Sequence, residues 1–365
     1  MNTRTLVIVI VAAVLALLAA VWMSSSRTPE MAGERAGPLA PGLSEALDGA
    51  TQVRLTGAGN TVLATLERNA SGWGLAEKNG YPVDVEKLRG LLSGIAVARR
   101  VEAKTALPER HAQLGVEDVA ADDAHGVRVD IVTPSRTFSL VLGDNLARGT
   151  GTYVRAADEA QSWLIDRNIA VERNPANWLV KRIIDVGANR IAAISVKPED
   201  GATIALARTQ DDTASDFALL DLPRGREAAT GYEREALAGL LSGLSFEDVF
   251  PATEHTAPEK TRQARFTLDD GRLLEIVSWQ DEGRTYARFA MTLDDAAAQA
   301  WLARQPADVD AQNDDDAPAA PATLDALAEE VASFQRHHGD WLYVLPSFKA
   351  SNLNKGLEDY LKPKG

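Results

Sequence analysis

The segment Leu88–Ile95 reads LRGLLSGI, and the later segment Leu237–Leu244 reads LAGLLSGL, so nearly the same sequence occurs twice in the chain. The apolar residues of the first segment follow helical spacing, which predicts one apolar stripe along an amphipathic helix. The second segment is apolar at all four equivalent positions. The stripes are Leu88, Leu91, Leu92 and Ile95 in the first copy and Leu237, Leu240, Leu241 and Leu244 in the second. We predict two equivalent helices, capped by Asp84 in the first copy and by a Thr230–Glu233 capping box in the second.

The sequence around both segments repeats in the same order. Residues 51–68 and 192–209 alternate apolar and polar positions around a glycine-containing turn, which predicts a β-hairpin in each copy. The alignment pairs Val53 with Ile194 and Leu63 with Ile204. Further matches are GWGLAE (72–77) with DFALLD (216–221), GVRVDIVTPSRTFSLVLGD (126–144) with QARFTLDDGRLLEIVSW (263–279), TYVRAAD (152–158) with TYARFAM (285–291), and SWLIDRNIAVERNPANWL (162–179) with DWLYVLPSFKASNLNKGL (340–357), which aligns Trp163 with Trp341.

A collinear series of matches of this extent indicates an internal duplication. Each copy is rich in predicted strands and contains one amphipathic helix, which could cover the apolar face of an antiparallel sheet. We therefore predict an α+β fold with two duplicated antiparallel-sheet units, each with a covering helix. The first repeat extends over residues 46–188 and the second over residues 189–365.

The composition argues against several classes of function. A formal net charge of −14 disfavours a nucleic-acid partner, because binding to phosphate backbones requires a basic surface. The chain contains no cysteine, which excludes disulfides, cysteine nucleophiles, thiolate metal sites and iron–sulfur clusters.

The first 24 residues predict a transmembrane anchor. An uncharged apolar run extends from Leu6 to Met23 after the basic residue Arg4, and its length is close to the roughly 20 residues that span a bilayer. A short basic N-terminus stays inside, so the rest of the chain is expected outside. A signal peptide cleaved near Ser24–Ser26 and a buried core helix are the alternatives. Residues 25–45 are rich in Ser, Pro and Gly and are interpreted as a flexible stalk.

An acidic insertion near residues 305–330 distinguishes the second repeat. The sequence PADVDAQNDDDAPAAPATLDALAEE (306–330) contains no Lys or Arg, and its composition is too poor in apolar residues to order itself. We interpret it as a solvated, disordered loop, with an acidic docking or cation-attracting segment as the alternative. The preceding sequence LDDAAAQAWLARQ (293–305) predicts a helix.

The order of these features resembles the bacterial DUF4340 family. The resemblance rests on the N-terminal span and on GWGL (72–75), YPVDVEKLRGLL (81–92), LPERHAQLGVED (107–118), FSLVLGDNLARGTGTYVR (138–155) and WLYVLP (341–346). It implies a single-pass anchor in the bacterial inner membrane, with a cytoplasmic N-terminus and a periplasmic C-terminal domain. Genes of this family often neighbour those of an ABC-type export system with a gliding-motility-like subunit. The resemblance therefore implies an accessory role with the transporter's membrane subunits as partners, and it supplies no catalytic residues.

The sequence carries no catalytic motif, since it lacks a phosphate loop, a dinucleotide fingerprint, HExxH and a nucleophile elbow. The glycines of residues 143–151 are interpreted as a hairpin turn, because phosphate loops require a following helix. His337, His338 and Asp340 form a poor metal site, because adjacent residues on a strand face opposite ways. We interpret the histidine pair as a polar loop and His111 as a solvated residue in a helical turn. We nominate no catalytic, cofactor-binding or metal-binding residue and expect no cofactor.

Four tryptophans lie in strand-like segments, and their recurrence in both copies favours core packing over a sugar- or lipid-binding platform. They are Trp73, Trp163, Trp279 and Trp341, with Phe217 at the position equivalent to Trp73.

Three functions compete on this basis. The best supported is a non-catalytic, membrane-anchored periplasmic accessory protein of an ABC-type transport system. A periplasmic binding protein for a lipid, glycan or peptide is the alternative, and a large apolar groove between the copies would support it. An envelope hydrolase that uses carboxylates ranks third, because no nucleophile and base can be named.

Overall fold

The structure is a computed structural model that describes residues 37–70, 72–209, 217–305 and 323–363. The predicted anchor at residues 1–24 and the first part of the predicted stalk lie outside the described residues. Among the helices of these four ranges, none is both long and apolar enough to cross a membrane.

Short helices and many strands form the described chain. The helices are α1 (Leu43–Ala46), α2 (Val85–Val97), α3 (Tyr232–Ala238), α4 (Asp295–Leu302), α5 (Leu324–His338) and α6 (Ser347–Leu353). The strands up to residue 184 are β1 (Gln52–Thr56), β2 (Val62–Asn69), β3 (Gly72–Leu75), β4 (Tyr81–Pro82), β5 (Arg100–Ala103), β6 (Val127–Val132), β7 (Thr137–Asn145), β8 (Thr152–Ala156), β9 (Ser162–Ile165) and β10 (Arg182–Ile184). The later strands are β11 (Ile191–Lys197), β12 (Ile204–Arg208), β13 (Phe217–Leu219), β14 (Leu244–Ser245), β15 (Asp248–Pro251), β16 (Arg262–Leu268), β17 (Arg272–Asp281), β18 (Arg284–Leu293) and β19 (Trp341–Leu345).

Contacts divide the described chain into two units, and this division differs from the boundary between the sequence repeats. The first unit contains residues 37–70 and 85–173, and the second contains residues 72–84 and the chain from residue 174 onward. The join between the repeats belongs to the second unit because β10 pairs with β14. The segment 72–84 belongs to the first repeat by sequence and to the second unit by its contacts.

Each unit contains a large antiparallel sheet, and the two sheets share one strand order. Within the first unit the order is β2-β1-β6-β7-β8-β9-β5, and in the second unit it is β13-β12-β11-β16-β17-β18-β19-β15. Position by position, the second order from β12 to β15 repeats the first order from β2 to β5. The prediction of an α+β fold with two antiparallel sheets is confirmed. Alternation along the strands creates the apolar face, as in β6, where Val127, Val129 and Ile131 are buried.

Cross-strand pairing corrects the alignment of Leu63 with Ile204. Ile204 lies opposite Val196, whereas the residue at the same place in the first sheet is Ala64, opposite Leu55. Pairing along β2 shifts at this point, and Leu63 is the additional residue of a bulge. One extra residue displaces the alternation that follows it, so the predicted alignment was off by one. The alignment made in β1 and β11 is confirmed.

Pairing also corrects the alignment of Trp163 with Trp341. Trp163 lies opposite Val154 in β8, and the residue opposite the corresponding Ala287 in β18 is Tyr343. Trp163 and Tyr343 are therefore the equivalent pair. A displacement of two residues keeps every side chain on its face of a strand, so the apolar pattern fits both alignments.

The repeated apolar stripe is buried in both copies, but the second helix is shorter than predicted. Helix α3 ends at Ala238, a 3₁₀ turn follows at Gly239–Leu241, and Leu244 begins β14. The chain leaves the helical path at Ser242, which is extended, and Gly243 then turns it with a φ of +55°. The predicted Thr–Glu capping box is wrong, because the N-cap is Gly231 and no side chain caps the helix.

The C-terminal part of the predicted stalk, residues 37–45, packs onto the first unit. Leu39 and Leu43 are buried, and the Leu39 N–H donates to the Ala98 carbonyl oxygen (2.8 Å). The prediction of a flexible stalk is therefore wrong for these residues. The composition of a whole segment does not show which of its residues can be buried. Burial of Leu39 and Leu43 is enough to hold residues 37–45 on the first unit.

The predicted disordered insertion near residues 305–330 is described only from residue 323 onward, where helix α5 begins. Thr323 caps α5 by accepting a hydrogen bond from the Ala326 N–H (3.1 Å), and Leu327 is buried against Trp301 of α4. The prediction of disorder is wrong for this part, because a cap and a buried leucine stabilise a helix despite the acidic composition. The helix predicted just before the insertion is confirmed as α4.

Candidate interaction site

A layer of short helices in the second unit forms one candidate site. Helix α3 packs against α6, and α6 also packs against the 3₁₀ turn Gly239–Leu241. The Lys349 ammonium group of α6 donates to the carbonyl oxygens of Gly239 (3.1 Å) and Ser242 (2.7 Å). The ends of helices leave such carbonyls without internal partners, so this cation stabilises the turn. Burial lowers the pKa of Lys349, and Asp185 opposes this shift.

Two further cations hold the C-terminal end of α6. The buried Arg262 donates to the carbonyl oxygens of Leu353 (2.9 Å) and Lys355 (2.6 Å), and it pairs with Glu199 (3.0 Å). Lys355 in turn forms an ion pair with Glu233 of α3. These contacts connect α3, α6 and β16, so the helical layer is fixed before any partner binds.

Two aromatic side chains project from this layer into solvent. Tyr232, at the start of α3, is 73% exposed, and Phe348, near the start of α6, is 66% exposed. At about 100° per residue, Tyr232 lies about 140° around its helix from the buried Leu237, and Phe348 lies about 160° from the buried Ala350. Both rings occupy the face opposite the packed one. We call Tyr232 and Phe348 the aromatic surface, because exposed aromatic residues are enriched in protein interfaces.

Neither Tyr232 nor Phe348 was among the residues predicted from the sequence. Helical periodicity identifies the apolar stripe that packs inward, and neither residue lies on that stripe. A search for aromatic residues off the stripe of each predicted helix would have found Tyr232. Phe348 required the bounds of α6, which is only seven residues long.

The two sheets also end at equivalent edge strands. β5 pairs with β9 at one end of the first sheet, and β15 pairs with β19 at the same end of the second. Ala103 lies opposite Trp163, and Val249 lies opposite Tyr343, so the two strands share one register. We call β5 the first edge and β15 the second edge.

The loop between β3 and β4 covers the second edge. Lys78 forms an ion pair with Asp248 (2.6 Å), and its ammonium group lies 4.6 Å from the centre of the Phe250 ring. Asn79 donates a hydrogen bond to Glu254 (2.9 Å). Every residue of β15 is consequently buried or half-buried.

Among the residues that the structure describes, nothing pairs with the first edge beyond Arg100 on its outer side. At its N-terminal end, the Arg100 N–H donates to the Gly37 carbonyl oxygen (3.0 Å). The other three residues of β5 are exposed, among them Val101 at 51%, and Val97 and Leu107 beside the strand are exposed as well. An exposed strand edge with apolar side chains is a feature that natural sheets usually cover.

Three ring side chains form a hydrogen-bonded chain beside β19. The hydroxyl oxygens of Tyr81 and Tyr343 are 3.5 Å apart, and Nδ1 of His338 lies 2.8 Å from the Tyr343 hydroxyl. Burial raises the pKa of Tyr81 to about 12 and also raises the pKa of Tyr343. Burial lowers the pKa of His338 to about 4, and the charge of His337 acts in the same direction. At neutral pH the phenols stay protonated and the His338 imidazole stays neutral, which suits a structural role.

The histidines differ from their predicted surroundings. His337 and His338 end helix α5, so the prediction of a polar loop is wrong; Nδ1 of His337 lies 2.7 Å from the Ser333 carbonyl oxygen. His111 lies in a 3₁₀ turn, as predicted, but it is buried with Nε2 2.8 Å from the Ala160 carbonyl oxygen, so the prediction of solvation is wrong. Within the described ranges, no group of three or more His, Asp or Glu residues is placed to hold a metal ion.

A buried ion network connects the turn between β16 and β17 to α5. The fully buried Asp270 accepts hydrogen bonds from Arg190 (2.8 Å) and Arg272 (2.7 Å). Arg190 also pairs with Asp269 (2.9 Å), and Arg272 pairs with Glu330 (2.7 Å). Every charge of this network has an opposite partner, so its role is structural.

The arginine of the repeated TYVRA and TYARF sequences binds backbone carbonyl oxygens of a neighbouring loop in both copies. Arg155 donates to the carbonyl oxygens of Val116 (2.8 Å) and Glu159 (2.9 Å). Arg288 donates to the carbonyl oxygens of Ala252 (2.5 Å) and His255 (3.0 Å). Each guanidinium therefore holds a neighbouring loop through its backbone.

The prediction of core packing is confirmed for two of the four tryptophans. Trp163 and Trp279 are buried, whereas Trp73 and Trp341 are half-buried. The Trp341 ring packs edge-on against Tyr81, with 4.8 Å between the ring centres. The half-buried rings pack on one side and reach solvent on the other.

A cavity of about 210 Å³ lies within the second unit. Its lining residues are Ala188, Asn189, Arg208, Phe217, Glu235 and Ala238. Pockets for drug-sized ligands measure about 300–1,000 Å³, so this cavity is small. The Arg208 side chain already donates to the Ile191 carbonyl oxygen (3.0 Å) and lies over the Phe217 ring. The geometry of this cavity does not favour a binding site.

Comparison with known proteins gives a family and no closer relative. The family model described as "Domain of unknown function (DUF4340)" matches residues 73–270, which is more than half of the chain. The resemblance to this family is confirmed over residues 73–270, whereas the N-terminal span and WLYVLP (341–346) lie outside the match. No curated protein matches the chain, and no solved structure matches it.

Proposed function

This chain belongs to the DUF4340 family, a domain family of unknown function, and we propose that it is a non-catalytic accessory protein of an ABC-type transport system. In this proposal, residues 1–24 anchor the chain in the bacterial inner membrane with the N-terminus in the cytoplasm. The two units lie in the periplasm, and the membrane subunits of the transporter bind the aromatic surface.

The exposure of Tyr232 and Phe348 on a fixed helical layer is the observation that supports this proposal best. Covering such rings removes apolar area from water, and a ring with two rotatable bonds loses little conformational entropy on binding. The cations Lys349 and Arg262 hold the layer in place already, so a partner need not order it. A fixed surface with two exposed rings fits protein recognition better than it fits chemistry.

The apolar run Leu6–Met23 supports the membrane part of the proposal. Its length approaches that of a bilayer span, and Arg4 precedes it. A chain anchored in this way lies within reach of the periplasmic parts of integral membrane proteins. A transporter subunit is therefore a partner that the chain can meet without diffusing through the periplasm.

Photocrosslinking in native membranes tests the proposal. A benzophenone amino acid replaces Tyr232 or Phe348 in the full-length chain, and a matched control carries it at Val62, which is exposed in the first unit. We expect positions 232 and 348 to form adducts with the membrane subunits of an ABC transporter, and position 62 to form none.

Three results would count against parts of the proposal. Equal adducts from all three positions would indicate proximity in the membrane without a specific surface. Adducts with lipid or glycan, and none with a transporter subunit, would favour the ligand-binding alternative. Recovery of the full-length chain in the soluble fraction of lysed cells would contradict the anchor separately from the partner.

A further inference from the structure

The loop that covers the second edge has a counterpart in the second repeat. The covering loop follows β3, and the counterpart, residues 220–226, follows β13 at the equivalent place in the sequence. Each loop turns through a residue of positive φ, Asn79 at 52° and Asp221 at 56°. We call residues 220–226 the free loop.

In the described part of the chain, the free loop and the first edge both leave apolar side chains exposed, although Arg226 at the end of the loop donates to Glu358 (2.9 Å) and to the Lys362 carbonyl oxygen (2.9 Å). Leu222 is 44% exposed and Leu220 is exposed, so the free loop presents two apolar side chains where the covering loop presents Lys78. The first edge presents Val101 and Val97 in the same way. In the second unit, the loop after β3 covers the edge strand β15. The free loop and the first edge are the equivalents of these two partners, and each of them leaves apolar side chains exposed.

We propose that the free loop of one molecule binds the first edge of a second copy of this chain. Leu220 and Leu222 cover Val97 and Val101, as Lys78 covers the Phe250 ring at the second edge. The exposed charges on the two surfaces are also of both signs, with Asp221 and Arg224 on the loop and Arg99 and Glu102 at the edge. Apolar side chains between paired charges favour one register of docking.

The contact is heterologous, because the two surfaces that meet are different parts of the same chain. Each molecule bound in this way still offers one free loop or one open edge. The copies therefore form a closed ring or an open row. This self-association is distinct from the proposed function, since it uses neither Tyr232 nor Phe348.

Cysteine crosslinking tests the contact, and the chain contains no cysteine of its own to interfere. Two differently tagged full-length copies are expressed in one membrane, one with Val101→Cys and the other with Leu222→Cys, and are treated with a short bismaleimide. We expect a dimeric adduct that carries both tags. The matched control replaces Val101→Cys by Val62→Cys, an exposed position in β2 at the opposite end of the first sheet. The control is expected to give no adduct.

A charge introduced at the edge, and then compensated in the loop, tests the same contact through a second adduct. The adduct between Leu107→Cys and Leu220→Cys is measured with Val101→Glu added to the edge. We expect its yield to fall by about tenfold, because a carboxylate then faces an apolar loop. Leu222→Lys in the partner copy is expected to restore the yield. All of these positions are exposed, and unfolding transitions equal to that of the parent chain confirm that the variants fold.

Several results would overturn the proposal. Crosslinking of Val101→Cys to itself, with no adduct to Leu222→Cys, would show that two open edges pair with each other. A benzophenone at position 101 that reacts only with residues before Gly37 of its own chain would show that the edge is covered internally. Absence of every mixed-tag adduct, with the copies monomeric in the membrane, would also refute it.

Discussion

The first and second edges occupy the same place in duplicated sheets, yet only the second edge is covered. The strand order and the cross-strand register around β5 and β15 agree. The difference lies outside the sheets, where Lys78 covers Phe250 and nothing in the described chain covers Val101 in the same way. Duplication has reproduced the sheet, and a segment from the first repeat covers the edge of the second. The edge left without such a segment is the natural place for a contact with another molecule.

Truncating a ring at the covered edge is expected to have the largest effect. The Tyr81 ring lies 5.3 Å from Phe246, 4.8 Å from Trp341 and 6.2 Å from Tyr343, measured between ring centres. We expect Tyr81→Ala to lower the free energy of unfolding of the second unit by about 3–5 kcal/mol. Val101→Ala at the open edge should change it by less than about 0.5 kcal/mol. Denaturant unfolding followed by tryptophan fluorescence measures both, and similar small values would remove the distinction between the edges.

The β6–β7 turn and the β16–β17 turn lie at equivalent places in the two sheets, and the turn of the second unit is the more strongly held. Asp270 is buried between Arg190 and Arg272 in the second unit, whereas the turn of the first is held by a hydrogen bond from the Thr133 hydroxyl to the Arg136 carbonyl oxygen (2.7 Å). We expect Asp270→Asn to destabilise by about 3 kcal/mol, because two arginines lose a buried carboxylate. Thr133→Ala should cost about 1 kcal/mol. Thermal unfolding of the two variants checks the order, and the reverse order would contradict it.

Acidification is expected to weaken the second unit through His338. The pKa of this histidine falls from 6.5 to about 4 on folding, so the unfolded chain binds the proton first as the pH decreases. Stability should be unaffected by this group above pH about 6.5 and should fall by up to about 3 kcal/mol between pH 6.5 and pH 4. Denaturant unfolding across this range measures the slope. His338→Gln should flatten the profile, and an unchanged profile in that variant would exclude His338 as the cause.

The smallest effect is expected from the lysines at the two edges. Lys78 and Asp248 are both largely shielded from solvent, whereas Glu102, which pairs with Lys104 (2.8 Å) at the open edge, is 58% exposed. We expect Lys78→Ala to cost about 1 kcal/mol and Lys104→Ala less than about 0.5 kcal/mol. Raising the salt concentration should reduce the cost of Lys78→Ala only slightly. Equal costs in a chemical denaturation series would mean that the loop does not shield the second edge.

The hairpins of the sheets were predictable from the sequence, because two period-two segments around a turn specify a hairpin wherever they occur. The matching hairpins of residues 51–68 and 192–209 indicated the duplication, and the two sheets repeat one strand order. The pairings β1–β6 and β9–β5, which join strands far apart in the chain, were not predicted. Registers were less predictable. Leu63 is the extra residue of a bulge, and alternation alone does not show which residue of a strand is the additional one. The predicted alignment matched Trp163 with Trp341 instead of Tyr343, because a displacement of two residues preserves the apolar alternation along a strand.

The candidate surfaces were harder to predict than the sheets. No local pattern shows that residues 72–84 pack with the second unit, since that packing depends on contacts such as Tyr81 with Tyr343, far apart in the chain. The exposure of Val101 depends on the lack of such a segment among the described residues at the first edge, and alternation cannot reveal this. Tyr232 was missed as well, although its position off the apolar stripe of α3 could be read from the sequence.

Hydrogen exchange of the full-length chain in detergent tests the central comparison most directly. Mass spectrometry follows the peptides that contain β5 and β15 at low and high protein concentration. We predict that β15 is protected at every concentration, whereas β5 exchanges quickly in dilute samples and becomes protected as the copies associate. Equal protection of both strands in dilute, monomeric samples would contradict the account, because the first edge would then be covered by the chain itself.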